Sequence, residues 1–413
     1  MSHSTPTLKI AVISTVYFEH SHSDVIVSRW LKPRSTDPDW GWESPRTEIA
    51  SLYIAQFPDE GDRGKENRFL KPDMGKEMAE RYGISLFDTI EGALTLGSNA
   101  LAVDAVLLIG EHGYYPKNAQ GVILYPRKEF FDAIVQVFRS SGRSVPLFCD
   151  KHLSWNSAWA QEMVATSKEL GFPFMAGSSI SLVGVEPEIP VRDEAEYEEY
   201  VGVYYCGAEV YGIHSLELMQ AFLESRKGDE TGIRALTAYT GEAVWEAMER
   251  GEWSRDLFEA AVEADNRKSE GDMRVNCSRN PEFDTDPSPT AFVLEYVDGT
   301  RATQVYLQGH ANNFTMALRY KGEEAIHAAC SRTAWGSPAN HFGHFATLCR
   351  VVEDMFLTGR SIVPIERTLL TTCTIARCVE AMFQPGVRLE TPELAISYTN
   401  APQPRLVSPK VIE

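Results

Sequence analysis

Cysteine, basic charge and long apolar runs are all scarce in this chain, and each scarcity closes off a class of function. The seven cysteines (Cys149, Cys206, Cys277, Cys330, Cys349, Cys373 and Cys378) are scattered and odd in number. With no CxxC pair they exclude a disulfide framework and a zinc-ribbon signature, and they fit reduced thiols in a cytoplasmic protein. Cys373 and Cys378 fall in one predicted helix and read as packing residues. Lys and Arg total 39 against 58 Asp and Glu, a net charge of −19. A surface of that sign repels phosphate, which excludes nucleic acid as a partner. The longest apolar runs, such as 102–110, have the length of a core strand and fall far short of a membrane span. Residues 1–7 are polar and lack the apolar stretch of a signal peptide. No internal repeat or low-complexity segment occurs.

What is present is an ordinary globular composition, 43% hydrophobic and 23% charged over 413 residues, a length that predicts two domains. In the first half, short apolar runs alternate with amphipathic ones. Strands are predicted over 8–14, 48–57, 84–87, 103–110, 145–149 and 172–176. Helices are predicted over 24–31, 74–82 (stopped by Gly83), 89–96, 128–140 and 157–170. Regular alternation of this kind implies an α/β fold, a Rossmann-like doubly wound parallel sheet with right-handed crossovers. Ligands of such sheets sit beyond the carboxyl ends of the strands. The loops 14–24, 110–116 and 150–154 are therefore the ones that carry chemistry.

From Pro187 the pattern changes. The acidic segment 193–200 reads as a surface turn or helix start, and 266–289 as a long loop. Helices are predicted over 215–225, 345–357 and 367–382. Strands are predicted over 233–240, 292–296 and 302–307, the last two joined through an Asp298-Gly299 hairpin. Trp245 and Trp253 stand at amphipathic spacing and read as core. This half is a C-terminal α+β domain with an open, mostly antiparallel sheet. The expected division is residues 1–178 and 179–413, with the C-terminal helices able to pack back on the first domain.

The run Val145-Pro-Leu-Phe-Cys-Asp150-Lys151-His152 puts a lysine just past the fifth strand. It resembles the Gfo/Idh/MocA oxidoreductase family, whose corresponding strand ends in Glu-Lys-Pro. The segment from Gly207 through Glu209, Val210 and His214 to Glu217 is similar to that family's Asp-x-Gly-x-His-x-x-Asp stretch, and 351–372 is similar in character to its last helices. The resemblance spans nearly the whole chain. It implies NAD- or NADP-linked chemistry on a small, sugar-like polyhydroxylated substrate. Lys151 would orient that substrate and His214 would donate or accept the proton, with Asp150 and His152 beside them. Ser14, Thr15, Glu111 and His112 would line the cofactor, and a homo-oligomer would form through the open sheet face. The chain departs from the family in three places. Loop 14–24 contains no glycine, where the family uses glycine to admit the pyrophosphate. Val210 stands where the second motif has aspartate, and His152 stands where the first has proline. The acidic residue that would hold the ribose has no clear counterpart, Gln56 and Asp59 being the nearest.

The same loops also offer ligand-type side chains: His20 and His22, Glu111 and His112, Asp150 and His152. With His214 across the cleft, the set His22, Glu111, His112, His152 and His214 supports an alternative, a Zn- or Mn-dependent hydrolase or lyase on this scaffold. Bland roles compete throughout. Lys151 is also readable as a solvated lysine, His214 as a core histidine, Glu111 and Asp150 as caps, and Tyr114 and Tyr115 as packing aromatics. His341 and His344 read as structural residues at a helix start.

Overall fold

In the computed structural model, which describes residues 7–62, 70–278, 288–334 and 342–399, the alternating first half folds as strand–helix units. In chain order these are β1 (Lys9–Ser14), α1 (His22–Leu31), β2 (Glu48–Ile54), α2 (Gly75–Tyr82), β3 (Ser85–Phe87), α3 (Ile90–Thr95), β4 (Ala105–Ile109), α4 (Arg127–Ser141), β5 (Leu147–Asp150), α5 (Ser157–Leu170) and β6 (Phe174–Gly177). All six strands are parallel, in the order β3-β2-β1-β4-β5-β6. Strands β4 and β5 are buried along their whole length, the state of a strand covered by helices on both faces. The strand order reverses between β1 and β4, so a crevice opens at their carboxyl ends.

The second half contains β7 (Val185–Glu186), β8 (Tyr197–Tyr204), α6 (Ala208–Leu223), β9 (Ile233–Thr240), α7 (Glu242–Glu249), α8 (Arg255–Glu263), α9 (Met273–Ser278), β10 (Thr290–Tyr296), β11 (Arg301–Tyr306), β12 (Phe314–Tyr320), β13 (His327–Ser331), α10 (His344–Thr358), α11 (Ile365–Ala381) and β14 (Arg388–Glu390). Its sheet has the order β14-β9-β10-β11-β8-β12-β13-β7. Only the β8–β11 pairing is parallel among the described residues. The change of sheet after β6 places the domain boundary we propose between residues 178 and 179.

Three local expectations need correction. In the acidic segment 193–200 only Asp193 and Glu194 form an exposed turn, because β8 starts at Tyr197 and runs through the middle of the second sheet. Its charge is confined to the strand's start, while Tyr200, Val201, Val203 and Tyr204 are buried. Helix α6 begins at Ala208 rather than near 215, so His214 lies inside the helix instead of opening it. Segment 266–289 contains α9, and its residues 279–287 lie outside the described part.

Both tail helices return to the first domain. Arg29 of α1 donates to the Phe342 carbonyl at 2.6 Å, and Thr368 of α11 donates to the Ala176 carbonyl at 3.0 Å. One face of the second sheet packs on α6 and α11. The other is covered by α7 and α8, with Trp245, Trp253, Leu257 and Phe258 buried against Val201, Val203, Val305 and Ala317. That second face, through which copies were expected to pair, carries the chain's own α7 and α8. Cys373 and Cys378 are buried in α11, as packing residues are.

Candidate active site

Strand β5 ends at Asp150, and the chain turns so sharply that Lys151 adopts φ 70°, with its N–H bonded to the Gly177 carbonyl at 3.3 Å. A non-glycine residue in this left-handed region costs free energy and persists only where surrounding structure holds it. The loop after β4 contains a second such residue, His112 at φ 65°. Both strained turns lie at the crevice, and each brings a polar side chain to it.

Lys151 Nζ lies 3.4 Å from Glu111 Oε1, and Arg127, the first residue of α4, donates to the same carboxylate. All three are at least 95% buried. Burial alone would raise the Glu111 carboxyl, but Lys151 and Arg127 hold it well below the usual carboxylate range. Opposite them, His22 Nδ1 bonds Asp150 Oδ2 at 2.5 Å. The His22 ring meets His112 and Phe345 edge to face, each at 5.5 Å between centroids. His214 enters from α6, its Nδ1 bonded to Ser178 Oγ at 2.6 Å. His344 is tied the same way to Ser179 at 2.8 Å. His341 lies outside the described residues.

Burial first, and then the Lys151 charge, depress His214, so the ring carried by α6 lies within electrostatic range of Lys151. His152 points elsewhere. With Ser154, Trp155, Glu209 and residues of α11 it lines a pocket of about 70 Å³, and its Nδ1 is buried with no hydrogen-bond partner among the described residues. Glu209 itself accepts the Ile123 N–H at 3.2 Å. Tyr115 packs edge to face on Tyr125 at 5.6 Å. His20 is exposed and tilts against Phe342.

The five residues of the metal alternative do not converge. Among the described residues no group of three or more His, Cys, Asp and Glu is arranged to hold a metal ion. The reason is visible in the partners. Glu111 is shared by two buried cations, and His152 faces the separate pocket. A divalent cation would have to sit beside Lys151 and Arg127.

Sequence reasoning did not find Arg127, which lay one residue outside its predicted helix, nor Ser178. Paired use of His22 and Asp150 was missed as well, although both residues had been singled out. A chain separation of 128 residues leaves no local signal for such a contact.

Burial lowers three histidines of the site: His112 to about 3, and His152 and His214 well below their ordinary value. The unfolded chain takes up these protons near pH 6.5, whereas the folded chain does not. Stability is thus complete above about pH 6.5 and falls as the pH drops below it, by up to about 1.4 kcal/mol per pH unit for each histidine. Urea unfolding at pH 7.5 and 5.5 is expected to show the loss, and replacing His112 by Gln reduces it. Equal stability at both pH values would contradict the buried neutral state.

The glycine-free turn fills the ground where a dinucleotide lies in this kind of fold. Val16, Tyr17 and Phe18 are buried, and Phe18 packs edge to face on His112 at 5.4 Å. Ser14 bonds Ser23 at 2.6 Å, and Thr15 bonds the Glu111 carbonyl at 2.5 Å. Gln56 grips both backbone groups of Tyr114, at 2.8 and 3.0 Å, while Asp59 bonds within its own exposed loop. At the start of α1, Ser21 caps the Asp24 N–H and Asp24 takes the His20 N–H. A buried carboxylate therefore stands where a pyrophosphate would need free donors. These residues do not fit a dinucleotide in the pose that a glycine-rich loop admits.

No family model matches the sequence, and no curated protein matches it. Solved structures match nearly end to end. GenD2 from gentamicin A biosynthesis, in complex with NAD, is 14% identical with a TM-score of 0.55, covering 94% of this chain and 97% of its own. Myo-inositol 2-dehydrogenase from Lactobacillus plantarum is 9% identical with a TM-score of 0.51, over 93% and 99%. A myo-inositol dehydrogenase from Corynebacterium glutamicum is 12% identical with a TM-score of 0.51, over 93% and 99%. The fold is that of Gfo/Idh/MocA-type dehydrogenases, as the sequence resemblance implied. Among the described residues no helix is long and apolar enough to cross a membrane.

Proposed function

We propose that this chain is an oxidoreductase-type enzyme acting on a small, sugar-like polyhydroxylated molecule in the cleft between its two domains. The observation that carries the reading is Lys151, in a strained turn at the end of β5 with its ammonium paired to Glu111 and within electrostatic range of His214 on α6. The Lys151 ammonium polarises a substrate oxygen, and His214 exchanges the proton of a carbon-bound hydroxyl. The fold supports the substrate class, since the solved structures of like fold include inositol dehydrogenases. Fold alone does not fix chemistry, so the residues carry the argument.

NAD or NADP is the hydride partner that such a reaction calls for, and it too is proposed on the fold. The turn after β1 does not fit it in the pose a glycine-rich loop admits. The metal-dependent alternative has no converging ligand set to support it.

A thermal-shift titration tests the reading without a known substrate, because a ligand that binds only the folded state raises stability by mass action. At 100 times its Kd, NAD⁺ or NADP⁺ is expected to add about 2.7 kcal/mol. No shift with either at millimolar concentration removes the dinucleotide from the proposal.

A further inference from the structure

Two histidines of the cleft are held in opposite tautomers by their partners. His22 Nδ1 faces the Asp150 carboxylate, which only accepts, so Nδ1 carries the hydrogen and Nε2 keeps a lone pair. Ser178 Oγ accepts the Ile180 N–H at 3.0 Å, and among the described residues its own hydrogen has His214 Nδ1, at 2.6 Å, as its acceptor. His214 therefore carries its hydrogen on Nε2. One ring is built to accept a proton and the other to donate a hydrogen bond, and the Lys151 ammonium shares the cleft with them. The His22 side chain keeps 15% of its surface exposed, within reach of a small molecule, while Asp150 behind it keeps 3%. The base thus stands on the first turn of α1, in the corner that Phe18, His112 and Asp24 close to a pyrophosphate.

The geometry points to proton transfer without a dinucleotide: His22, oriented by Asp150, is the general base that removes a proton from the carbon next to the carbonyl of a polyhydroxylated ketone. This inference rests on the proposed reading of the Lys151 cleft as the active site and departs from it in two respects, the hydride partner and the proton acceptor, which is His22 rather than His214. The C–H bond breaks, its proton passes to His22 Nε2, and its electron pair forms the enolate C=C bond. The carbonyl π electrons move to oxygen, where Lys151 and the His214 Nε2–H hold the negative charge. Return of the proton from the His22 imidazolium to carbon completes an exchange in which nothing is oxidised or reduced. Asp150 is the positioning residue, because it fixes the tautomer that leaves Nε2 basic.

The probe is 2-keto-myo-inositol in D₂O with no cofactor added, followed by proton NMR. The full-length protein is expected to wash out the signal of the hydrogens beside the ketone. His22→Gln and Asp150→Asn are each expected to slow this at least about 100-fold, the usual span of a general base. A second readout needs no substrate. In ¹⁵N-histidine spectra His22 carries its hydrogen on Nδ1, and Asp150→Asn releases that preference.

Exchange that survives His22→Gln at the wild-type rate, no exchange at all, or a His22 protonated on Nε2 overturns the inference. Exchange that requires added NAD⁺ also overturns it, while leaving the oxidoreductase reading in place. Loss of the oxidoreductase reading shows separately, as retention of cofactor-free exchange with no thermal shift from NAD⁺ or NADP⁺.

Discussion

Replacing Glu111 by Ala is expected to destabilise the fold by about 3–5 kcal/mol, because it leaves two buried cations without their counter-charge. Arg127 and Lys151 share that one carboxylate, and both lie at least 95% buried. Arg127 already has two buried nitrogens, Nε and Nη1, with no hydrogen-bond partner among the described residues. Removing its ion pair therefore exposes an uncompensated guanidinium to a low-dielectric interior. Glu111→Gln keeps an acceptor for one cation and is expected to cost less, so the difference between the two variants isolates the charge. The sign of the pH dependence follows. Glu111 is held below the usual carboxylate range when folded, so its contribution is complete above about pH 4.3 and is lost as pH falls through the lower folded value. Urea unfolding from pH 7 down to 3 checks both points. A Glu111→Ala protein within about 1 kcal/mol of wild type would mean that Lys151 turns out to solvent, since a solvated ion pair is worth no more than that. The cleft would then lack its organising carboxylate.

The parallel sheet was legible in the sequence because period and punctuation agreed there. Continuous apolar runs at β1 and β4 mark strands buried on both faces, and the glycine at 83 ends α2 at φ 68°. The second sheet was read less completely. Strand β8 was hidden by Glu196, Glu198 and Glu199 at its start, although tertiary packing places its remaining residues in the core. Trp245 on α7 and Trp253 in the turn before α8 were recognisable core residues, without revealing that α7 and α8 cover a sheet face.

For the site, the sequence exposed positions but not pairings. Lys151, His214, Asp150 and His22 each stood out by residue type at a strand end or helix. That Asp150 serves His22 and that Arg127 serves Glu111 depends on which loops the fold brings together. The missing glycines were the most informative single feature. Their absence after β1 foretold the crowding that Tyr17 and Phe18 produce, and this crowding sets the chain apart from the dinucleotide seat its fold otherwise provides.

Lys151→Ala is expected to lower turnover by about 10²–10³-fold, the effect of removing one preorganised donor from a developing oxyanion. The folded state should survive the change. Alanine meets the same left-handed cost at φ 70° as lysine does, and Glu111 retains Arg127 as a partner. The loss is expected in kcat rather than KM, because the ammonium acts most strongly where negative charge develops. Lys151→Arg should not restore activity, since a planar fork cannot occupy the place of a compact ammonium 3.4 Å from Glu111. Steady-state kinetics on a panel of polyols and their ketones, with circular dichroism as the fold control, makes the measurement. Near-normal turnover in a folded Lys151→Ala protein would remove Lys151 from the chemistry. It would also remove the reason for placing the active site in this cleft, whichever hydride or proton acceptor the reaction uses.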